Sequence, residues 1–566
     1  MIDVIWLSLH EERPCRGYWD MDLIEQWLDE DYFAHHEVIG KEQARGVFTY
    51  SDGAIVVLPA RYHSADVDSL NELFSTKEWI FLILVGDEAE TFPSQLVRHR
   101  NKIIYQQTPH QGAHINVDQF IPLGPSKGTR QAISAARNST DVPELDWFMS
   151  GQNTHIRRKL CFESLGKIAE FTQTDHKFNL LETEGFTQGF EHGEYLKLMA
   201  NTKVAPCPSG VAVVDSFRLY EALESGALPI ADGQDPKGGS AGWWPFLFGE
   251  MPPFPIVTDW GDLKGHIDRA VSTFPKPQNE SFAWWQLTKR NLKKQFHKDL
   301  GKLSGHTMTG VDDVITVLVP TSPIPSHPDT EIIDETITSI RHHLPEAEII
   351  VMIDGIREEQ SSRQQDYNEY VRRILWKTNH EWKNCTPLLF DSFHHQTGMT
   401  RQALKIVDTP LLLFVEHDAP LVIDHEIEWE TIVGIMQHSD NVDVVRFHHE
   451  SHILDVHSHL TLEDVKPHYL GPPQLDPPLT ATAQWSQRPH LASVSLYRHM
   501  FDNYFSYEAR AMIEDKIHGV LATGYKERGK PAWNEFNLWM YTPEGNIQRS
   551  YTTDGRKTDP KYDMVF

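Results

Sequence analysis

Residues 205–210, Ala-Pro-Cys-Pro-Ser-Gly, and residues 215–230, Asp-Ser-Phe-Arg-Leu-Tyr-Glu-Ala-Leu-Glu-Ser-Gly-Ala-Leu-Pro-Ile, decide how this chain is read. An apolar strand runs into a Pro/Gly loop, and Asp215 or Ser216 caps the helix that follows. That helix stops at Gly226, and the next strand starts at Leu228. Strand, loop, helix and strand in this order make an α/β unit. The start of such a helix offers free N–H groups and a partial positive charge, which suit a diphosphate. Arg218 and Glu221, three residues apart, share one helix face. The arginine fork can grip phosphate, and the carboxylate can accept from sugar or ribose hydroxyls.

The same pattern extends in both directions. Asp3–Leu7, Gly53–Leu58, Ile80–Val85 and Lys102–Tyr105 are short runs, apolar on both faces, as strands of a covered parallel sheet are. Leu145–Met149 opens a second set. A basic stretch, Thr288 to Lys302, reads as a helix with a solvated face, and Ser304–Asp313 reads as a linker. Val314–Pro320 then begins a fresh strand, Ile333, Ile337 and Ile340 mark an amphipathic helix, and Glu348–Ile353 is a strand ending in Asp354. A later strand, Leu411–Val415, ends in Glu416-His417-Asp418. These boundaries give three regions: 1–143, 144–305 and 306–566.

Composition narrows the function. At 566 residues with 40% hydrophobic and 11% aromatic content, the chain has material for several cores. Eighty acidic against 52 basic residues leave a formal charge of −28, which disfavours non-specific nucleic-acid binding. Four dispersed cysteines without a CxxC pair argue against a disulfide scaffold or a zinc ribbon. The N-terminal residues lack a basic segment followed by an apolar core, and no apolar run has the ~18–20 residues of a membrane helix. The expected location is cytoplasmic.

The run 205–230 resembles the donor-binding region of exostosin-type GT-B glycosyltransferases: a Cys-Pro-x-Gly loop, a Ser-x-Arg helix start, Glu-Ala, then Gly-x-x-Pro. Phe148-Met149-Ser150-Gly151 followed by Arg157-Arg158 is similar to that family's strand, loop and arginine. The resemblance covers roughly residues 145–260. It implies a pair of Rossmann-type lobes, with Gly210, Ser216, Arg218, Glu221 and Arg157 binding a UDP- or GDP-sugar on the second lobe and the acceptor in the interlobe cleft. His110, or His114, in the loop after a strand of the first lobe is a candidate base there.

In the second half, a strand that delivers two carboxylates one residue apart is a candidate Mn²⁺ or Mg²⁺ site formed by Glu416 and Asp418. The order Val-x-Val-Pro-Thr, Asp354-Gly355, Gly398–Leu404 with Arg401-Gln402, and Glu416-His417-Asp418 resembles GT-A glycosyltransferases of the family-2-like kind. Glu416 stands where their first aspartate is, and Arg401-Gln402 where they have Arg-Asn. The resemblance implies nucleotide contacts from Asp354 and Arg401. It also implies an acceptor-side pair in Glu514-Asp515, with Asp515 as base and Glu514 in support. Gln484-Trp485 and Arg488–Leu491 are candidates for shaping the acceptor site, and the tail Asn546–Arg556 for closing over the donor. The cluster around His448, His449, His457 and His459 lacks the HExxH order of a zinc site and reads as a sheet edge or loop.

The expectation is therefore an α/β chain with a GT-B-like pair of lobes followed by a GT-A-like domain. It would be a bifunctional hexosyl- or pentosyltransferase acting on a glycan, a glycoprotein or a modified nucleobase. Two alternatives stand beside it: one active module with the other serving as a carbohydrate-binding scaffold, or a phage-type DNA-base glycosyltransferase.

Overall fold

The computed structural model describes residues 1–9, 15–28, 32–48, 52–59, 64–86, 97–108, 117–171, 176–185, 188–239, 242–305, 310–449, 454–470, 476–544 and 547–553. The chain divides into two compact units, Met1–Thr307 and Met308–Phe566. Among the described residues it forms three sheets, two in the first unit and one in the second.

The first sheet contains β1 (Ile2–Ser8), β2 (Phe33–Ile39), β3 (Gly53–Pro59), β4 (Trp79–Val85), β5 (Lys102–Gln107) and β6 (Gln119–Ile121), in the order β2-β1-β3-β4-β5-β6. All its pairings are parallel. Alternate residues of β1 enter different cores: Val4 and Trp6 on one side, Ile5 and Leu7 on the other. That is why these runs are apolar on both faces. β2, Phe-Ala-His-His-Glu-Val-Ile, has no such run because it is an edge strand with half-exposed side chains.

The second sheet contains β7 (Leu145–Gln152), β8 (Phe178–Thr183), β9 (Thr202–Cys207), β10 (Leu228–Asp232) and β11 (Ile256–Val257), also all parallel. Its order, β11-β10-β9-β7-β8, reverses direction between β7 and β9. A 29-residue helix, Lys276–Ser304, joins the two halves of this unit. Its Trp285 packs into the core under the second sheet, while Phe296 and Leu300 pack under the first. The reading of Thr288–Lys302 as a solvated basic face holds at Lys298 and Lys302 and is corrected on the side that packs through Phe296 and Leu300. The Lys289 side chain is 12% exposed and pairs with the fully buried Glu224 at 2.5 Å, and Asp299 accepts from the Tyr105 hydroxyl at 3.0 Å.

The third sheet contains β12 (Ile315–Thr321), β13 (Glu348–Ile353), β14 (Cys385–Leu389), β15 (Leu411–Phe414), β16 (Val444–Phe447), β17 (Thr461–Leu462), β18 (Leu479–Thr482), β19 (His490–Ser493) and β20 (Leu538–Tyr541). Its order is β14-β13-β12-β15-β19-β16-β20-β18-β17. The first four strands are parallel, and β19 runs antiparallel to both its neighbours. Ile333, Ile337 and Ile340 are buried on the helix Glu331–His343, at the spacing that marks an amphipathic helix. Trp485, a candidate for the acceptor site, is a core residue at 1% exposure. No helix among the described residues is long and apolar enough to cross a membrane.

Burial also sets a pH dependence. His490 in β19 is 1% exposed, shares a 2.5 Å hydrogen bond with the Tyr497 hydroxyl, and is pushed down to about 4, first by desolvation and then by the nearby Arg446 charge. A histidine whose pKa is lower folded than unfolded stabilises fully above about 6.5 and loses that contribution as the pH falls towards 4. Urea unfolding at pH 7 and pH 4.5 is expected to show about 2 kcal/mol of acid-dependent loss that His490→Gln removes. An unchanged pH slope in the variant would refute this.

Candidate functional site

In open α/β sheets, ligands bind beyond the carboxyl ends of the strands, where the strand order reverses. In the second sheet that place lies between the ends of β7 and β9, and the segment 205–218 forms one wall of it. Gly210 is required there, since a Cβ would lie 2.4 Å from the Asp215 carbonyl oxygen. The loop therefore folds flat against the start of the helix Phe217–Glu224. Ser216 is the N-cap residue with extended backbone, yet its hydroxyl does not cap the helix. Gly226, at φ +70°, ends that helix turn.

Around this loop several polar atoms are buried without a hydrogen-bond partner among the described residues: Ser209 Oγ, Ser216 Oγ, Arg218 Nη1 and His155 Nδ1. Arg218 lies 5.3 Å over the Tyr195 ring, and its Nη2 is 3.2 Å from where a Cβ on Gly151 at the end of β7 would sit. The other groups hold the loop. The Ser209 carbonyl accepts from His155 Nε2 and Arg158 Nε, both at 3.2 Å. The Ser209 N–H donates to Asp232 at 3.2 Å. Buried polar atoms normally find partners, and unpaired hydroxyls and guanidinium N–H near a helix start have the chemistry to take up an anion.

Two expected ligand contacts face inward instead. Glu221 is 5% exposed, and its oxygens accept from Ser126 Oγ at 2.6 Å and the Tyr195 hydroxyl at 2.8 Å, so it ties this helix to the segment after β6. Arg157 is 5% exposed and pairs through Nε and Nη2 with the fully buried Asp232. Its Nη1 donates to Gln234 and to the Thr258 carbonyl. Arg157 therefore positions the loop through Asp232. His110 and His114 lie outside the described residues.

In the second unit the strand order reverses between β12 and β15. Glu416-His417-Asp418 forms the turn just beyond β15, and the Ala419 N–H donates to the Glu416 carbonyl at 3.0 Å. Asp354 follows β13 at 1% exposure. One of its oxygens accepts from the Gly355 and His394 N–H groups at 2.9 and 2.7 Å, the other from the His395 N–H at 2.9 Å. Burial pushes its carboxyl above the usual range, and these N–H groups pull it back. Asp354 thus anchors the loop before the helix His395–Ala403 rather than offering an open nucleotide contact. Gly355 lets that loop approach, since a Cβ would lie 2.1 Å from the Ser392 carbonyl carbon. Gly355→Ala should cost about 2–3 kcal/mol by forcing backbone apart, read as a lowered unfolding midpoint; wild-type stability would contradict the contact.

Gln396 links the other parts: its amide nitrogen donates to Glu416, and its oxygen accepts from the Ile513 N–H at 3.2 Å. Ile513 begins the helix Ile513–Arg528, whose first turn carries Glu514 and Asp515. Glu514 accepts from the Gln487 N–H at 3.0 Å, while Asp515 is exposed. His395, at φ +57°, is held below its ordinary pKa by desolvation and by Arg357, and Asp515 acts on it in the opposite sense. The Arg401 guanidinium donates to the carbonyls of Phe501, Phe505 and Ser506, which places it on the end of the helix Val494–Asn503 and the chain after it. The tail residues Tyr551 and Thr553 donate backbone N–H groups to Pro420 and Asp418, and Arg488 Nη1 donates to Thr552 Oγ1 at 2.9 Å. The described end of the chain therefore lies along the carboxylate turn.

Among the described residues no three His, Cys, Asp or Glu side chains form a group that could hold a metal ion. Hard divalent cations in nucleotide sites use one or two carboxylates and take their other ligands from phosphates and water. Glu416 and Asp418 fit that minimal donor set. Ser209 lies within the quoted loop without a role assigned to it, and Gln396, His395 and Asp232 had no signal in the sequence beyond their nearness to the motifs.

No family model matches the chain, and no curated protein matches it. Among solved structures it is similar to S. aureus TarS in complex with UDP-GlcNAc, at 14% identity over 42% of this chain and 58% of that one, with a TM-score of 0.26. It is similar to the mannosyltransferase PcManGT from Pyrobaculum calidifontis in complex with GDP-Man and Mn²⁺, at 13% identity over 41% and 58%, TM-score 0.25. The bifunctional IspDF from Campylobacter jejuni matches at 10% identity over 42% and 51%, TM-score 0.21. The chain spans just over a third of a longer TarS structure, 36%. Likenesses this loose leave the functional reading to the residues themselves.

Proposed function

We propose that the chain is a nucleotide-sugar-dependent glycosyltransferase with two donor sites, GT-B-like and exostosin-like in the first unit, GT-A-like in the second. The observation that carries this reading is the set of unpaired buried donors at Ser209, Ser216 and Arg218, set where the second sheet reverses its strand order. In the first unit the two hydroxyls, Arg218 and the helix start hold a pyrophosphate and offset its charge without a metal.

In the second unit Glu416 and Asp418 would hold Mn²⁺ or Mg²⁺, which when bound supplies Lewis-acid stabilisation of a leaving diphosphate. Asp515, exposed at the start of its helix, accepts the proton of the acceptor hydroxyl. The hydroxyl oxygen then bonds to the sugar's anomeric carbon as the bond from that carbon to the diphosphate breaks. Glu514, fixed by the Gln487 N–H, and Gln396, which spans Glu416 and Ile513, keep the acid turn and the base in register. Hexosyl or pentosyl donors and glycan, protein or modified-base acceptors all remain within this reading.

A second reading, in which the second unit is a carbohydrate-binding scaffold, draws support from the engagement of Glu416 by Gln396 and the absence of a third metal-binding side chain among the described residues. Donor turnover with UDP- and GDP-sugars, with and without Mn²⁺, separates the two. Asp515→Asn should lower metal-dependent kcat by about 10²–10⁴-fold with little change in donor KM, as loss of a general base does. Turnover that needs no metal would favour the scaffold, and metal-dependent turnover unchanged in Asp515→Asn would rule out Asp515 as the base.

A further inference from the structure

Arg549 is 4% exposed, and among the described residues neither its Nε nor its Nη1 has a hydrogen-bond partner. Its backbone is pinned on both sides: its N–H donates to the His448 carbonyl at 2.8 Å, and its carbonyl accepts from the Val422 N–H at 3.0 Å. This places it beyond the ends of β16 and β20, beside the segment that follows the Glu416–Asp418 turn. The guanidinium lies 5.5 Å over the Tyr541 ring, and the aromatic wall continues through Phe447 to Trp429 and His343. Trp429 Nε1, a donor, is also buried without an acceptor. His343 is held below its ordinary pKa, first by desolvation, and Arg549 adds to that effect. The carboxylate facing this region, Glu428, is exposed and meets the Tyr541 hydroxyl at 3.5 Å. A guanidinium removed from water with its donors unmet is strongly unfavourable unless an anion completes it.

We propose that Arg549, over the Tyr541 ring, forms a phosphate-binding site in the second unit. The site does not depend on the transferase reading. Its ligand is a phosphate group, either free inorganic phosphate or the phosphate of a nucleotide. Arginine suits this chemistry because its planar fork meets phosphate oxygens through two N–H groups at once.

The test uses the full chain in phosphate-free, low-salt buffer, in an Arg218→Met background that removes the cradle of the first unit. Thermal unfolding of this variant is expected to shift upward by about 3–5 °C with inorganic phosphate or pyrophosphate at a hundred times Kd. Adding Arg549→Met should abolish the shift while leaving the phosphate-free midpoint unchanged or higher, because an unmet buried charge has been removed. Arg549→Lys should retain part of the shift. Competition then separates the sources: UDP displacing phosphate marks a nucleotide site, and phosphate binding unaffected by UDP marks a free-anion site. A phosphate shift that persists in Arg218→Met/Arg549→Met would overturn the proposal. So would the absence of a phosphate response in Arg218→Met; a phosphate-free midpoint several degrees lower in the double variant would then show Arg549 neutralised by the chain's own carboxylates.

Discussion

Arg218→Met is expected to weaken nucleoside diphosphate binding at the first unit by about 100-fold, close to 3 kcal/mol, measured by calorimetric titration with UDP and GDP without metal. The size follows from losing charge-assisted hydrogen bonds to phosphate in a cradle largely closed to water. Stability should be unaffected or raised, because Nη1 of Arg218 already lacks a partner among the described residues. A merely structural arginine would behave in the opposite way: the variant would lose stability and keep its affinity. Ser216→Ala, which removes a hydroxyl that caps nothing, should weaken binding by a smaller factor without lowering the unfolding midpoint.

Asp232→Ala is expected to cost 3–5 kcal/mol of stability in the first unit, roughly what breaking a buried ion pair costs when its partner stays behind. Asp232 is fully buried and holds Arg157, the Ser209 N–H, the Gln234 N–H and, at 3.3 Å, Trp260 Nε1. Its loss strands a guanidinium and frees the loop of the anion cradle, so affinity for diphosphate should fall along with stability. Replacing both partners, Arg157→Met with Asp232→Leu, should recover much of the stability but not the binding, since nothing then orders Ser209. Chemical denaturation of the three variants reads this directly. A double variant as unstable as Asp232→Ala would contradict the ion-pair explanation.

These two residues show where the sequence was informative and where it was not. The strands apolar on both faces, the isoleucine spacing of Glu331–His343, and the loop, helix and glycine stop of 205–226 depend on local pattern, and they were legible. So were the positions of Asp354 and of Glu416–Asp418 at strand ends. The partners were not. Helix spacing shows that Arg218 and Glu221 share a face, but not that the face is split, with Arg218 at the crevice and Glu221 buried against Ser126 and Tyr195. Arg157 reads as a phosphate ligand until Asp232, 75 residues later, is seen to claim it. Arg401 likewise meets carbonyls about 100 residues away. Such pairings are decided by the tertiary fold, and nothing in the short-range pattern encodes them. β2 was missed for the converse reason: an edge strand half-open to water needs no apolar run.

Crystals of the chain soaked with UDP- and GDP-sugars in the presence of Mn²⁺ test directly whether the reversal points of the second and third sheets are the donor sites. Diphosphate density on Ser209, Ser216 and Arg218 beyond β7 and β9, with a second ligand against Glu416 and Asp418 beyond β15, is the predicted result. Both crevices empty while nucleotide occupies another surface would contradict it.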